Sequence, residues 1–258
     1  MQLRISHLSK SFQANAILSD VSFETNDTEF VAIVGPSGCG KTTMLSIIAG
    51  FENATSGSVS LDGRLLSSAG SDRLMIFQDS ALFPHLTTRE NIEFGLKHKG
   101  MTSHHRRQLA CSALDAVGLG PFLHYFPFQL SGGMRKLVEI VRATILTNPA
   151  PLLLCDEALG QLDALTRAHT QDVIQRLWME SPRTVLWVTH DLEEACYCAD
   201  RIIVMSPRPG TVTAELTIPF PRPRDSMLRT SVELQVLRRR LFDLLDAAEP
   251  DESERRPA

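Results

Sequence analysis

Gly35-Pro36-Ser37-Gly38-Cys39-Gly40-Lys41-Thr42 fits the spacing G-x-x-x-x-G-K-[ST], whose chemistry is the binding of phosphate. The glycines let the backbone curl with its N–H groups inward. A helix starting at the end of the loop adds partial positive charge, so the loop forms a nest for anions. Lys41 would reach the β- and γ-phosphates of a nucleoside triphosphate, and the Thr42 hydroxyl, with Thr43 beside it, is placed to ligate Mg2+.

Other residues of chemical interest follow short apolar runs. Asp156-Glu157 follows Leu152-Leu153-Leu154-Cys155, Gln78 follows Leu74-Met75-Ile76-Phe77, and His190 follows Val188-Thr189. Leu130-Ser131-Gly132-Gly133 precedes a stretch of helical periodicity. Taken singly, each has a plain structural meaning: an acidic turn, a structural histidine, a helix N-cap followed by glycines. Their order along the chain gives them more weight.

The elements that must position these residues are legible from periodicity. Phe30-Val31-Ala32-Ile33-Val34 reads as a buried strand feeding the phosphate loop, and residues 43–49 read as a helix ended by Gly50. The first thirty residues alternate (Leu3, Ile5; Val21, Phe23), and Ser58-Val59-Ser60-Leu61 does the same before the Asp62-Gly63 turn, which predicts an antiparallel sheet. Residues 87–95 suggest a loop entering a helix, and 102–148 are helical in period. Apolar runs at 152–155 and 184–188, separated by helix-length segments, imply a largely parallel sheet with crossover helices. After Ser206-Pro207-Arg208-Pro209-Gly210 the character changes: Pro219, Pro221 and Pro223 lead to an amphipathic helix with Leu234, Leu237, Leu241, Leu244 and Leu245 on one face.

Of the 258 residues, 43% are hydrophobic, enough for a sizeable core. A formal charge of -4 leaves no basic excess to neutralise a nucleic-acid backbone, so nucleic acid is not expected as a partner. No apolar run approaches the roughly 20 residues needed to cross a bilayer, and the N-terminus has no signal-peptide pattern, which predicts a chain that stays in the cytoplasm. The five cysteines contain no C-x-x-C pair, consistent with reduced thiols; Cys196-x-Cys198 reads as a helical pair with one buried thiol rather than half of a metal site.

With the phosphate loop, Leu130-Ser131-Gly132-Gly133 and the strand-Asp-Glu in this order, the chain resembles the ATP-binding cassette ATPases over nearly its whole length. The resemblance implies a P-loop NTPase α/β core with an N-terminal antiparallel β subdomain and an inserted helical subdomain. It divides the chain into a cassette at 1–205 with the helical segment at about 88–148, a Pro-rich linker and amphipathic helix at 206–246, and a tail at 247–258 whose composition predicts disorder. It implies ATP and Mg2+ as cofactors, the metal held by Thr42, Gln78 and Asp156. Glu157 would be the general base, Gln78 the glutamine that also faces a membrane partner, and His190 the switch histidine sensing the γ-phosphate. Phe12 would stack on adenine beside the loop residues 35–43. Residues 130–134, with Ser131, Gly132 and Gly133, match the signature motif that contacts nucleotide on the opposite subunit of a homodimer, and Asp163 matches the loop along the dimer seam.

Met134, Lys136-Leu137 and Ala158 depart from the common family pattern and put the basal rate and the signature-helix contacts in question. Met134-Arg135, Leu82-Phe83-Pro84 and the Ser206-to-Gly210 run resemble the branch that energises import of nitrate, taurine and other sulfonates. That branch implies an integral membrane permease, an external solute-binding protein reached indirectly, and a place on the cytoplasmic face of the inner membrane. In it, a groove near 78–95 receives a short permease helix, with Phe83, Pro84 and Leu86 as the expected apolar floor. Two other readings are a soluble cassette ATPase acting on nucleic acid or ribosomes, and a P-loop kinase. The first usually has two cassettes or a coiled-coil insertion; the second would leave the signature loop without a role.

Overall fold

The computed structural model describes residues 1–97, 100–145 and 152–248. Two sheets organise them. Strands β1 (Leu3–Phe12), β2 (Asn15–Glu24), β4 (Ser56–Leu61) and β5 (Arg64–Leu65) form an antiparallel sheet in the order β2-β1-β4-β5. Strands β3 (Phe30–Val34), β6 (Arg73–Ile76), β7 (Leu152–Asp156), β8 (Val185–Val188), β9 (Arg201–Met205) and β10 (Val212–Thr217) form the second, in the order β10-β9-β3-β8-β7-β6. All its pairings are parallel except β10 with β9.

Every residue of β3, β7 and β8 is buried, as parallel strands covered on both faces require. Alternate side chains of β3 serve two cores. Val31 and Ile33 face the antiparallel sheet and helix α1 (Lys41–Ala49), where they join Ile5 and Val59 from the sheet and Met44, Leu45 and Ile48 from the helix. Phe30, Ala32 and Val34 face the other side, with Trp187, Tyr197 and Ile202.

Helices α2 (Thr88–Lys97), α3 (Ser103–Ala116) and α4 (Gly132–Thr144) build a third core from Ile92, Ala110, Leu114, Leu137, Val138 and Val141. Helix α4 also sends Ile140 and Ala143 into the main core, so it bridges the two. A capping box opens α2: the Thr87 N–H and hydroxyl donate to Glu90 Oε2 at 2.9 and 2.8 Å, and the Glu90 N–H returns to Thr87 Oγ1 at 3.3 Å. Helices α5 (Ala164–Glu180) and α6 (Leu192–Cys198) follow β7 and β8.

Helix α7 (Val232–Ala248) carries the leucine face read from sequence. Leu234, Leu237 and Leu241 are buried in the same core as Phe30 and Trp187, with Leu244 and Leu245 packed against it. The segment after residue 206 is thus joined to the main sheet by β10 and to the main core by α7. The tail expected from Ala247 does not begin there, since Ala247 and Ala248 belong to α7; residues 249–258, and 146–148 of the helical stretch, lie outside the described residues. Leu234 is fully buried, so Leu234→Ala is expected to cost about 2–5 kcal/mol. Urea denaturation checks this, and a loss under about 0.5 kcal/mol would mean that α7 adds little to the fold.

Cys196 and Cys198 are both buried in α6, rather than only one of them, because α6 packs against β3 as well as against α5 and α7. Burial pushes the Cys196 thiol up to about 12 and raises that of Cys198 further. Among the described residues no group of three or more His, Cys, Asp or Glu is placed to hold a metal.

Candidate functional site

Where β3 ends and α1 begins, the chain walls a cavity of about 320 Å³. Ser37, Gly38, Gly40, Lys41, Thr42 and Thr43 form one side of it. Phe12 and Ile17 come from the β1–β2 hairpin, Glu157 from the turn after β7, and Arg208 from the turn between β9 and β10. Gly38 and Gly40 stand at φ +77° and +106°, which turns the loop into the first helical residue. The free N–H groups at the start of α1 therefore border the cavity. Lys41 is buried in the loop, its Nζ donating to Gly35 O at 2.8 Å and Pro36 O at 2.9 Å. Cys39 is fully buried behind the loop, where its Sγ accepts from Lys41 Nζ at 3.7 Å.

Asp156 closes β7 and is buried. Burial raises its carboxyl above the usual carboxylate range, and a hydrogen bond from the Thr42 hydroxyl opposes that rise. Its Oδ1 is buried with no hydrogen-bond donor. A carboxylate oxygen so placed, beside a threonine hydroxyl, offers the hard oxygen donors that suit Mg2+, whose other ligands would come from phosphate and water.

Glu157 takes a φ of +44°, uncommon for a side chain of its type. Two backbone bonds hold it there: its N–H donates to Val188 O at 2.9 Å, and its carbonyl accepts from Gly160 N at 3.0 Å. Its Oε2 lies 3.2 Å from His190 Nδ1. A carboxylate oriented by an imidazole at the edge of such a cavity can accept a proton from water.

Phe12, in the cavity wall, is 45% exposed, with Lys10 Nζ 4.5 Å from its ring centroid. Gln78 is exposed and does not line the cavity; its backbone carbonyl accepts from Lys136 Nζ at 3.3 Å. Ser131 caps α4, its Oγ accepting from Met134 N at 3.3 Å, and Gly132 follows it. Gly133 is pressed on α5, where a Cβ would lie 2.2 Å from Thr166 Cγ2. Asp163 caps α5, its Oδ1 accepting from Thr166 N at 3.0 Å; that N–H bond holds its carboxyl below the usual range. Gln161 Nε2 donates to Asp79 Oδ1 at 3.1 Å, tying the segment before α5 to the one after Gln78.

Sequence reasoning missed two features. Arg208 lines the cavity from a turn 170 residues beyond Gly38, and its only signal was the Ser206-to-Gly210 run. Lys136 and Glu139, buried on α4, form an ion pair at 2.7 Å that reaches the Gln78 segment; Lys136 was visible only as a departure from a common pattern.

A family model described as ABC transporter matches residues 18–160. An uncharacterized ABC transporter ATP-binding protein of Methanocaldococcus jannaschii is 39% identical over 249 residues, 95% of this chain and 91% of that protein. A taurine import ATP-binding protein of Yersinia pestis is 41% identical over 218 residues, 84% of this chain and 85% of that protein. Among solved structures, a dimeric post-hydrolysis state of an ATP-binding cassette bound to ADP and Pi superposes with a TM-score of 0.72 at 31% identity, covering 85% of this chain and all of that one.

Proposed function

The chain belongs to the ABC transporter family, and from that premise we propose that it works as a homodimer driving uptake of a small sulfonate-like or nitrate-like anion through a separate permease. It is an ATP-hydrolysing importer subunit with the P-loop NTPase fold. The cargo reading rests on the likeness to taurine import proteins. The observation that carries the catalytic reading is the Glu157–His190 pair beside the cavity of Lys41 and Thr42.

Lys41 and the N–H groups at the start of α1 hold the phosphates; Thr42 and Asp156 would hold Mg2+, which would supply charge neutralisation. Glu157 takes the proton of the attacking water, and His190 orients it. Phe12 packs on adenine. In the dimer, Ser131, Gly132 and Gly133 of one copy face the nucleotide of the other, and Asp163 lies along the seam. Ser131→Arg is expected to abolish ATP-dependent dimerisation while the monomer binds ATP as before; size-exclusion chromatography with a hydrolysis-deficient background reads this out, and unaltered dimerisation refutes the signature role.

A permease helix would enter the groove of about 220 Å³ between β6, α2 and α4, lined by Phe83, Phe94, Glu139 and Arg142. Phe83 is fixed there by Asn91, which accepts from its N–H at 2.9 Å and donates to its carbonyl at 3.2 Å. Pro84 and Leu86, expected in the floor, do not line the groove. Among the described residues no helix is long and apolar enough to cross a membrane, which suits a peripheral subunit on the cytoplasmic face. An external solute-binding protein would meet the permease, not this chain. Gentle solubilisation of the native membrane with the tagged chain, followed by mass spectrometry, tests the reading. A copurifying polytopic membrane protein supports it; ribosomal or repair proteins alone overturn it.

A further inference from the structure

The turn between β9 and β10, Ser206-Pro207-Arg208-Pro209-Gly210, is fastened on three sides. Internally, Ser206 Oγ accepts from Thr211 N at 3.0 Å and donates to the carbonyls of Pro207 or Pro209. Toward the first sheet, Gly210 N donates to Ile17 O at 2.8 Å and Gly210 O accepts from Ser19 N at 3.0 Å. Toward the phosphate loop the approach is so close that a Cβ on Gly210 would lie 2.1 Å from Cys39 O. The turn is therefore held against both the loop and the hairpin that carries Phe12.

From this platform Arg208 extends to the mouth of the cavity, where its Nε donates to Gly38 O at 3.3 Å. That bond uses Nε and leaves the two Nη groups available as donors. Lys41 sits deeper, with its three N–H donors directed at Gly35 O, Pro36 O and, at 3.7 Å, Cys39 Sγ. The lining also contains the Glu157 carboxylate, so Lys41 alone would leave the cavity poor in cation for a triphosphate.

We infer that Arg208 is a further nucleotide-binding residue, contacting the phosphate chain of ATP from the mouth of the cavity while Lys41 acts from within. The inference rests on the nucleotide reading of this cavity. A guanidinium suits the task because its planar fork can meet two phosphate oxygens at once. The fixed turn means that little ordering is needed when nucleotide binds.

The test compares the full-length wild-type chain with Arg208→Gln, Arg208→Lys and Lys41→Ala, titrating each with MgATP and with inorganic tripolyphosphate by competition against a fluorescent ATP analogue. Arg208→Gln is expected to weaken both ligands about tenfold, with Arg208→Lys recovering part of the loss and thermal melting without nucleotide unchanged. Wild-type affinity in Arg208→Gln, with binding lost in Lys41→Ala, overturns the Arg208 assignment and leaves the cavity reading in place. A loss for ATP alone, with tripolyphosphate unaffected, puts the guanidinium on the base and also overturns it. Tight ATP binding that neither Lys41→Ala nor Arg208→Gln disturbs removes the cavity reading itself.

Discussion

Glu157→Gln is expected to lower ATP turnover by about 10²–10⁴-fold while MgATP binds as tightly as to the wild type. The substitution keeps the side chain's length, and either residue type meets the same backbone demand at φ +44°. The backbone bonds to Val188 and Gly160 do not depend on the side chain. An amide oxygen can still accept from His190 Nδ1, so the pair's geometry survives. What disappears is the capacity to take a proton from water. Phosphate release in a single turnover, beside equilibrium binding of ATP, separates the two effects. Hydrolysis near the wild-type rate would remove Glu157 from the proposed role, and loss of binding would make it a ligand for nucleotide instead.

Lys136→Met is expected to destabilise the fold by about 3–5 kcal/mol, and the double variant Lys136→Met, Glu139→Leu by much less. Both side chains are almost fully buried, so removing one partner strands a charge in the interior. The pair also secures a loop. Lys136 Nζ donates to Phe77 O at 2.8 Å and to Gln78 O, while the Ala81 N–H donates to Glu139 Oε1. One turn further along α4, Arg142 donates to Ala81 O at 3.0 Å and lies over the Phe83 ring. The segment between the end of β6 and the groove is thereby clamped to α4 at both ends. Urea denaturation of the two variants decides the matter: a single-variant cost below about 1 kcal/mol, or a double variant no better than the single, would show that the pair is not a coupled buried unit.

The sequence made the scaffold of the site legible because the signals there are local. The apolar runs at 30–34 and 152–155 read as buried strands and are so, and the loop between Gly35 and Thr42 carries its own geometry. The leucine stripe of α7 was equally plain, although periodicity could not say which core it fills. What stayed hidden depends on long-range juxtaposition. Nothing in the order of residues places Arg208 against Gly38, since that contact needs β9 beside β3 and Gly210 against Cys39. Lys136 looked like a departure from a pattern because the carbonyl it meets, that of Phe77, lies 59 positions earlier. Gln78 was legible as a position, yet the single chain does not bring its side chain to the cavity.

At Gly133, the missing side chain lets Thr166 fill the space where a Cβ would stand. Helix α4 and helix α5 consequently begin from one shared pivot, with Ser131 on one arm and Asp163 on the other. There is no spacer to absorb a displacement of either arm. A shift of either arm would therefore press directly on the other, so the two caps are bound to move together within one chain.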